Sequence, residues 1–242
     1  MPMKLRKVTA SMLDFHTHIL PEMDDGSESA AMSLGMLAEM YENGIDMVYA
    51  TPHYYADEET VEEFLERRAE SFEKLRRVCE GKNVPEIRLG AEVHLTDMLT
   101  SRHGLDRICI EGTNLMLIEP PYAAFLDSTF GYIEHILSNY FVVPVIAHID
   151  RYLFLQTNKT LNRLFEMELL FQANAKGVLD KKLHRTIIKM IKKGMIQFIG
   201  SDCHNDTVRP PNVHLAYQVL EKKMSAEKYG QFLEFCNTRG DL

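Results

Sequence analysis

The hydrophobic positions of the chain form short apolar runs, which are separated by longer stretches that mix apolar and polar residues with a helical period. Short runs rich in Val, Ile and Phe are typical of strands that are buried on both faces. Seven runs fit this pattern, over residues 12–15, 46–50, 86–89, 114–118, 142–147, 169–173 and 196–199. The amphipathic stretches predict helices over residues 28–43, 60–80, 129–140, 181–193, 212–223 and 226–237.

A strand followed by a helix, repeated along the chain, is the pattern of parallel strands joined by right-handed crossovers. With seven such units the sheet either closes into a barrel or stays open, and periodicity does not decide between these two folds. In both, the residues that act on a ligand lie at the carboxyl ends of the strands. Because no linker, charge block or internal repeat divides the chain, we expect one α/β domain over residues 1–242.

The composition is that of a soluble globular protein. Lys and Arg number 27 against 35 Asp and Glu, a formal net charge of −8, which argues against a nucleic-acid partner. Four widely spaced cysteines form no Cys-x-x-Cys pair, so we expect neither a zinc ribbon nor disulfides, and a cytoplasmic location. Residues 1–13 lack the pattern of a signal peptide and no long apolar run follows, so we expect no membrane insertion.

Ten histidines are an unusual number for an acidic chain, and two of them end the first predicted strand. In the segment His16-Thr17-His18, the two imidazoles are two residues apart, so they lie on the same face of the strand and can bind one metal ion. A single pair of this kind is weak support, because such short motifs also occur by chance.

The other strand ends strengthen this interpretation, since six of the seven predicted strands lead into a residue that can bind a metal. Besides His16 and His18, the candidate ligands are Asp25, His53, Glu92, Glu119, His148, Asp202 and His204. Nine nitrogen and oxygen donors exceed the needs of one tetrahedral ion and predict two or three divalent ions. Manganese, iron, zinc and magnesium suit these donors better than copper(I) or an iron–sulfur cluster does.

Two arginines follow the later ligands closely, Arg151 after His148 and Arg209 after His204. A guanidinium group can hold two phosphate oxygens at once. Neighbouring metal ions favour in-line attack of a metal-activated hydroxide on phosphorus. The sequence therefore predicts a metal-dependent phosphoesterase, with Arg151, Arg209, Asp202 and His204 at the reacting centre and the general acid left open.

These motifs together resemble the polymerase and histidinol phosphatase (PHP) superfamily. Within it, they are most similar to the bacterial manganese-dependent protein tyrosine phosphatases of capsule and exopolysaccharide operons. The matching segments occur in the family's order over residues 14–26, 50–53, 89–92, 117–119, 144–151, 172–175 and 198–210.

The resemblance implies a distorted (β/α)7 TIM-like barrel, the PHP fold, with three metal ions held by the nine candidate ligands. It also implies that Arg151 and Arg209 hold the substrate phosphate, and that the substrate is a phosphotyrosine tail of a polysaccharide-biosynthesis autokinase. A homo-oligomer is compatible with it. The chain departs from the family pattern at Ile149-Asp150, at Lys176 and at His94, positions that bear on the substrate pocket more than on the metal centre.

Four alternatives stay open at this point. One is a phosphatase of the same superfamily that acts on histidinol phosphate or another small phosphoester. A second is a cysteine-dependent phosphatase that uses Cys203 and Arg209, which have the required spacing. The others are an amidohydrolase-type enzyme, in which a lysine usually stands at the position of Glu119, and a binding module without activity. Chelation by EDTA and the variant Cys203→Ser separate the metal-dependent mechanism from the cysteine-dependent one.

Overall fold

The computed structural model describes residues 11–238, so the stretch 1–10, which includes most of the segment tested for a signal peptide, lies outside it. Nine strands occur in these residues: β1 Leu13–Thr17, β2 Met47–Ala50, β3 His53–Tyr54, β4 Glu86–Leu89, β5 Glu92–His94, β6 Leu115–Glu119, β7 Val143–Ile146, β8 Leu170–Asn174 and β9 Phe198–Gly200. Each predicted strand lies within two residues of an observed one.

The helices of the described residues are α1 Ala30–Glu42, α2 Val61–Cys79, α3 Asp127–Asn139, α4 Ile149–Tyr152, α5 Asn158–Phe165, α6 Ala175–Leu179, α7 His184–Lys192, α8 Val213–Lys223 and α9 Ala226–Thr238. Two 3₁₀ segments, Asp97–Ser101 and Leu105–Ile108, join β5 to β6. All six predicted helices are present, with ends within three residues of the prediction. The prediction missed α4, α5 and α6, because helices of four to eight residues are too short to show a clear period.

The strands are parallel and follow the order β1-β2-β4 in one sheet and β3-β5-β6-β7-β8-β9 in the other. Two short strands, β3 and β5, were not predicted, and each follows a predicted strand, β2 or β4, after a break of two residues. The break between β2 and β3 falls at Thr51 and Pro52, where proline offers no N–H donor, and the break between β4 and β5 falls at Gly90 and Ala91. The seven predicted strands therefore correspond to seven successive positions around the sheet.

The sheet curls until its first and last strands meet. Thr17 of β1 pairs with Cys203, which follows β9, and the His18 N–H donates to the Cys203 carbonyl at 2.9 Å. The Asp202 N–H donates in the same way to the His16 carbonyl at 2.8 Å. The predicted fold class, a distorted TIM-like α/β barrel, is confirmed.

Apolar packing fixes the position of β1, whose five residues are all buried. The ring of Phe15 stacks on that of Phe198 from β9, with centroids 3.9 Å apart, and meets Tyr49 from β2 edge to face. This packing holds the carboxyl end of β1, with His16 and His18, in register with the strands on either side. No helix between residues 11 and 238 is both long and apolar enough to cross a membrane.

Candidate metal centre

The structure brings the nine predicted ligands together at the carboxyl end of the barrel, although they come from segments up to 188 residues apart in the chain, from His16 to His204. Three groups of side chains place their donor atoms within 4.8 Å of one another. They are His18, Asp25, His53 and His204; His16, His18 and Asp202; and His53, Glu92 and Glu119. His148 adjoins the third group, since its Nε2 lies 2.9 Å from Glu92 Oε1 and 3.2 Å from Glu119 Oε1.

Glu92 lies at the middle of this cluster and is almost completely buried. Its Oε2 lies 3.1 Å from His16 Nε2, 3.2 Å from His18 Nε2 and 3.3 Å from His53 Nδ1. Burial alone would raise the pKa of Glu92, but the charge of His16 and hydrogen bonds from the surrounding imidazoles hold that pKa well below its usual range. Glu92 is therefore an ionised carboxylate surrounded by four imidazoles.

Two buried ring nitrogens of the cluster form no hydrogen bond among the described residues. They are His53 Nδ1 and His204 Nε2, which lie 3.3 Å from Glu92 Oε2 and from Asp25 Oδ1 respectively. The Nε2 atoms of His16 and His18 lie only 3.1 Å apart. Such a convergence of imidazole nitrogens and carboxylate oxygens, without a thiolate, fits manganese, iron, zinc or magnesium. The residues present thus fit a divalent metal centre.

Asp24 supports the cluster from behind, a role that the sequence prediction missed. Its Oδ2 lies 2.7 Å from His18 Nδ1 and accepts the His53 N–H at 2.9 Å. Burial would raise the pKa of Asp24, but the charge of His18 and its hydrogen bond lower it. Burial alone would lower the pKa of His18, but the charge of Asp24 and its hydrogen bond raise that pKa well above its usual value. Asp24 stands next to the predicted ligand Asp25, and only the fold distinguishes their roles.

Gln172 and Asn174 on β8 form a second set of supporting contacts that were not predicted. Gln172 Oε1 accepts the His148 N–H at 2.6 Å and lies 3.4 Å from His16 Nδ1. Asn174 Nδ2 donates to Asp202 Oδ2 at 2.8 Å. The signal in the sequence is two polar residues, two positions apart, on an otherwise apolar strand whose residues are nearly all buried.

Two of the predicted ligands have a strained backbone. His148 has a φ of 32° and Asp202 a φ of 55°, in the left-handed region that side chains with a β-carbon seldom adopt. Each occurs just after the end of a strand, β7 or β9. Strain of this kind persists only where the surrounding contacts hold it, and it is concentrated at functional sites.

Both predicted arginines contact one ligand of the cluster. Arg209 Nη2 donates to Asp202 Oδ1 at 2.6 Å, and Arg151 forms an ion pair with Asp202 Oδ2. Arg151 Nη1 also lies 3.8 Å from Glu119 Oε1. Both guanidinium groups are about one-third exposed, so they lie between the buried cluster and solvent.

Arg151 and Arg209 line a cleft of about 780 Å³. The apolar part of the cleft's lining, its apolar wall, includes Tyr122, Phe154 and Val208, which are 71%, 73% and 85% exposed. Leu155 belongs to the same apolar lining. Large apolar side chains exposed together commonly mark a binding site. The cleft thus combines two guanidinium groups with an aromatic and apolar lining.

Cys203 does not have the environment of a nucleophile. It is completely buried, and burial raises the pKa of its thiol well above the usual value. Arg209, its partner in the cysteine-dependent alternative, donates to Asp202. This geometry argues against that alternative. His94, one of the positions that depart from the family pattern, lies at the edge of the cluster with Nδ1 3.5 Å from Glu119 Oε2, a contact that raises the His94 pKa.

The curled parallel sheet defines a TIM-like barrel protein. Its cluster of histidines and carboxylates, the candidate metal centre, lies at the carboxyl ends of the strands, which is the face where barrel enzymes have their active sites. The chain belongs to the capsular polysaccharide synthesis CpsB/CapC family, whose model matches residues 12–239.

Individual relatives extend over most of the chain. The tyrosine-protein phosphatase CpsB of Streptococcus pneumoniae is 32% identical over 234 residues, which are 90% of this chain and 93% of that protein. The tyrosine-protein phosphatase YwqE of Bacillus subtilis is 30% identical over 89% of this chain and 86% of its own length.

Solved structures show the same fold. A crystal structure from work on YwqE of B. subtilis and CpsB of S. pneumoniae, described as metal-dependent tyrosine phosphatases, matches with a TM-score of 0.75 and 24% identity over 95% of both chains. A TatD-like protein from Archaeoglobus fulgidus matches with a TM-score of 0.51 and 17% identity, over 92% of this chain and 99% of that one. The similarity thus extends around the whole sheet.

Proposed function

We propose that this chain is a metal-dependent protein tyrosine phosphatase, in which residues 1–242 form a single phosphoesterase domain. The relatives named tyrosine-protein phosphatase, at about 30% identity over most of the chain, support this proposal. The observation that carries it is the position of Arg151 and Arg209, between a buried cluster of potential metal ligands and a cleft with an aromatic wall.

The nine residues that would hold metal are those predicted from the sequence: His16, His18, Asp25, His53, Glu92, Glu119, His148, Asp202 and His204. Their number and their three groups support two or three ions, with manganese first and iron, zinc or magnesium also suited to the donors. Divalent ions in this position polarise phosphoryl oxygens and make water more acidic.

The arginines bind and orient the phosphoryl group. Both guanidinium groups now donate to the carboxylate of Asp202, and a phosphate dianion offers them oxygens with the same fork geometry. Because Asp202 and both arginines line the same cleft, the phosphoryl group reaches the guanidinium groups without entering the buried core. His204, whose Nδ1 lies 3.7 Å from Asp202 Oδ1, completes this edge of the reacting centre.

The apolar wall favours an aryl phosphate over histidinol phosphate. A phosphotyrosine whose phosphate contacts Arg151 lies in the cleft that Tyr122 and Phe154 also line, so its ring has aromatic side chains to pack against. Aromatic pairs of this kind contribute about 0.5–1.5 kcal/mol beyond the burial of their area. The tyrosine leaving group also has a pKa of about 10, so its departure depends less on a general acid than that of an aliphatic alcohol.

The natural substrate that we propose is the phosphotyrosine tail of a tyrosine autokinase of polysaccharide biosynthesis. Membership of a family named for capsular polysaccharide synthesis supports this choice. We also propose a cytoplasmic location, which agrees with the four free thiols of the described residues.

The test combines metal analysis with two substrates. Purified protein is assayed for bound metals and for hydrolysis of a phosphotyrosine peptide and of histidinol phosphate, with and without EDTA. We expect the peptide to be preferred, EDTA to abolish activity, added Mn²⁺ to restore it, and Cys203→Ser to keep most of it. A large preference for histidinol phosphate would overturn the substrate, and activity that survives EDTA but not Cys203→Ser would overturn the mechanism.

A further inference from the structure

A strongly basic segment stands out in this acidic chain. Residues 181–193 contain six Lys and Arg and no Asp or Glu, although the whole chain has a net charge of −8. Within α7, Ile187, Ile188 and Ile191 are buried against the barrel, while Arg185 and Lys189 are exposed. The helix therefore turns its apolar side inward and presents a cationic face to solvent.

The cationic face forms one side of a groove of about 350 Å³. The lining residues are His184, Arg185, Ile188, Lys189 and Lys192 of α7 and Lys223 at the end of α8. Within residues 11–238, no carboxylate forms an ion pair with the Arg or Lys side chains of this groove. Cations gathered without counter-charges produce a positive potential that attracts anions.

The groove adjoins the candidate active-site cleft. Lys176 and Leu183 line the cleft, and the next residue, His184, lines the groove. From His184 the groove follows α7 to Lys192, a helix of nine residues and so about 13 Å long. About four residues of extended peptide cover that distance. A peptide whose phosphotyrosine occupies the cleft can thus continue along α7.

We propose that this groove, defined by Arg185, Lys189, Lys192 and Lys223, binds Asp and Glu residues of the protein substrate that flank the phosphotyrosine. The proposal rests on the proposed function, since it extends the same cleft to a longer substrate. Three of the four cations are lysines, which act as point charges without a fixed fork, so the groove recognises acidic character rather than one defined sequence.

An anionic membrane surface fits the same charges less well. The apolar side chains of α7 face the barrel core, so the helix offers no apolar face for insertion between lipids. A concave groove also suits an extended chain better than a flat surface. The continuity with the cleft, at Leu183 and His184, is the feature that favours a peptide.

Charge reversal in the groove tests the proposal. For the variant Lys189→Glu, we expect kcat/KM on a phosphotyrosine peptide with flanking Asp and Glu to fall about tenfold, mainly through KM, and the loss to shrink at high salt. Hydrolysis of a neutral phosphotyrosine peptide and of p-nitrophenyl phosphate should change less than about twofold, because neither places an Asp or Glu side chain in the groove. The matched control is Lys82→Glu, the same charge change at an exposed position after α2.

If Lys189→Glu lowers kcat/KM equally on all three substrates, the proposal is wrong. It is also wrong if Lys82→Glu lowers kcat/KM on the acidic peptide as much as Lys189→Glu does. A second measurement is independent of catalysis: binding of an unphosphorylated Glu-rich peptide, which Lys189→Glu should weaken. If wild-type protein hydrolyses no phosphotyrosine peptide yet binds the Glu-rich peptide, the proposed function fails on its own. If Lys189→Glu loses only binding to phosphatidylserine vesicles, the surface binds lipid and the peptide proposal is wrong.

Discussion

His18 Nδ1 lies 2.7 Å from Asp24 Oδ2, and this contact determines which nitrogen of His18 faces the candidate metal centre. With Nδ1 held by Asp24, Nε2 points to Glu92 and His16, at 3.2 Å and 3.1 Å. A carboxylate behind a ligating histidine fixes its tautomer and increases its basicity. Asp24 also accepts the His53 N–H, so one side chain orients two of the predicted ligands.

We therefore expect Asp24→Asn to lower the affinity for Mn²⁺ about 10- to 100-fold, because the amide no longer favours the required tautomer. Metal titration by calorimetry measures this effect. Asp106→Asn, at an exposed position in a 3₁₀ segment, is the control and should bind metal like the wild type. Unchanged affinity in Asp24→Asn would show that Asp24 does not support the ligands.

Glu92→Gln removes the negative charge from among four imidazoles. We expect it to lower metal affinity and phosphatase activity by more than the roughly 100-fold that the loss of a supporting residue causes. Metal titration by calorimetry and rates on a phosphotyrosine peptide check this prediction. Glu86→Gln, on the exposed start of β4, provides the same chemical change away from the centre and should leave both properties intact.

The arginines should separate phosphate binding from metal binding. We expect Arg151→Lys and Arg209→Lys each to reduce kcat/KM about 10²- to 10³-fold, since lysine cannot hold two phosphoryl oxygens at once. Metal content should stay at the wild-type level. If metal content falls together with activity, the arginines stabilise the metal centre rather than bind phosphate.

The apolar wall of the cleft predicts a substrate-dependent effect. Phe154→Ala should raise KM for a phosphotyrosine peptide about five- to tenfold, which corresponds to the loss of about 1 kcal/mol of ring contact. Hydrolysis of glycerol phosphate, which has no ring, should change little. Phe141→Ala removes an almost fully exposed ring that does not line the cleft, and should affect neither substrate.

A substitution at Gly200 should affect both the stability of the fold and the candidate metal centre. A β-carbon at this position would lie 2.6 Å from His16 Cβ and 2.8 Å from His16 N. We expect Gly200→Ala to lower the free energy of unfolding by about 1–3 kcal/mol, as overpacking does, and to weaken metal binding. Gly230→Ala is the control, because nothing lies within 4 Å of its added carbon and alanine favours the helix. Urea unfolding of both variants compares them directly.

Much of the architecture follows from local sequence. Most of the apolar runs become strands because they supply buried side chains on both faces. The exception is β4, whose four residues are exposed or half-buried. Six of the seven runs lead into a residue that can bind a metal, so the nine donors could be identified one strand at a time. Asp24, Gln172 and Asn174 could not, because their roles depend on contacts that form only after folding, such as that of Gln172 with His148.

The sequence prediction also missed the short strands β3 and β5, since its second and third strands end at residues 50 and 89. Pro52 and Gly90 interrupt β2–β3 and β4–β5, but each is a single residue in an otherwise regular β–α repeat. The interruptions place His53 and Glu92 at the start of separate short strands. Periodicity averages over several residues, so it located β2 and β4 but not the strands of two and three residues that follow them.

The pairing of Thr17 with Cys203 closes the sheet between the start and the end of the chain. Because a ribosome makes His16 and His18 long before Asp202 and His204, the complete set of donors exists only after residue 204 has been added. A nascent chain that ends before β9 therefore has histidines but no finished pocket, so metal loading must follow the synthesis of β9 and the segment after it. Any proteolytic cut that removes the segment after β9 would separate two of the nine donors from the rest.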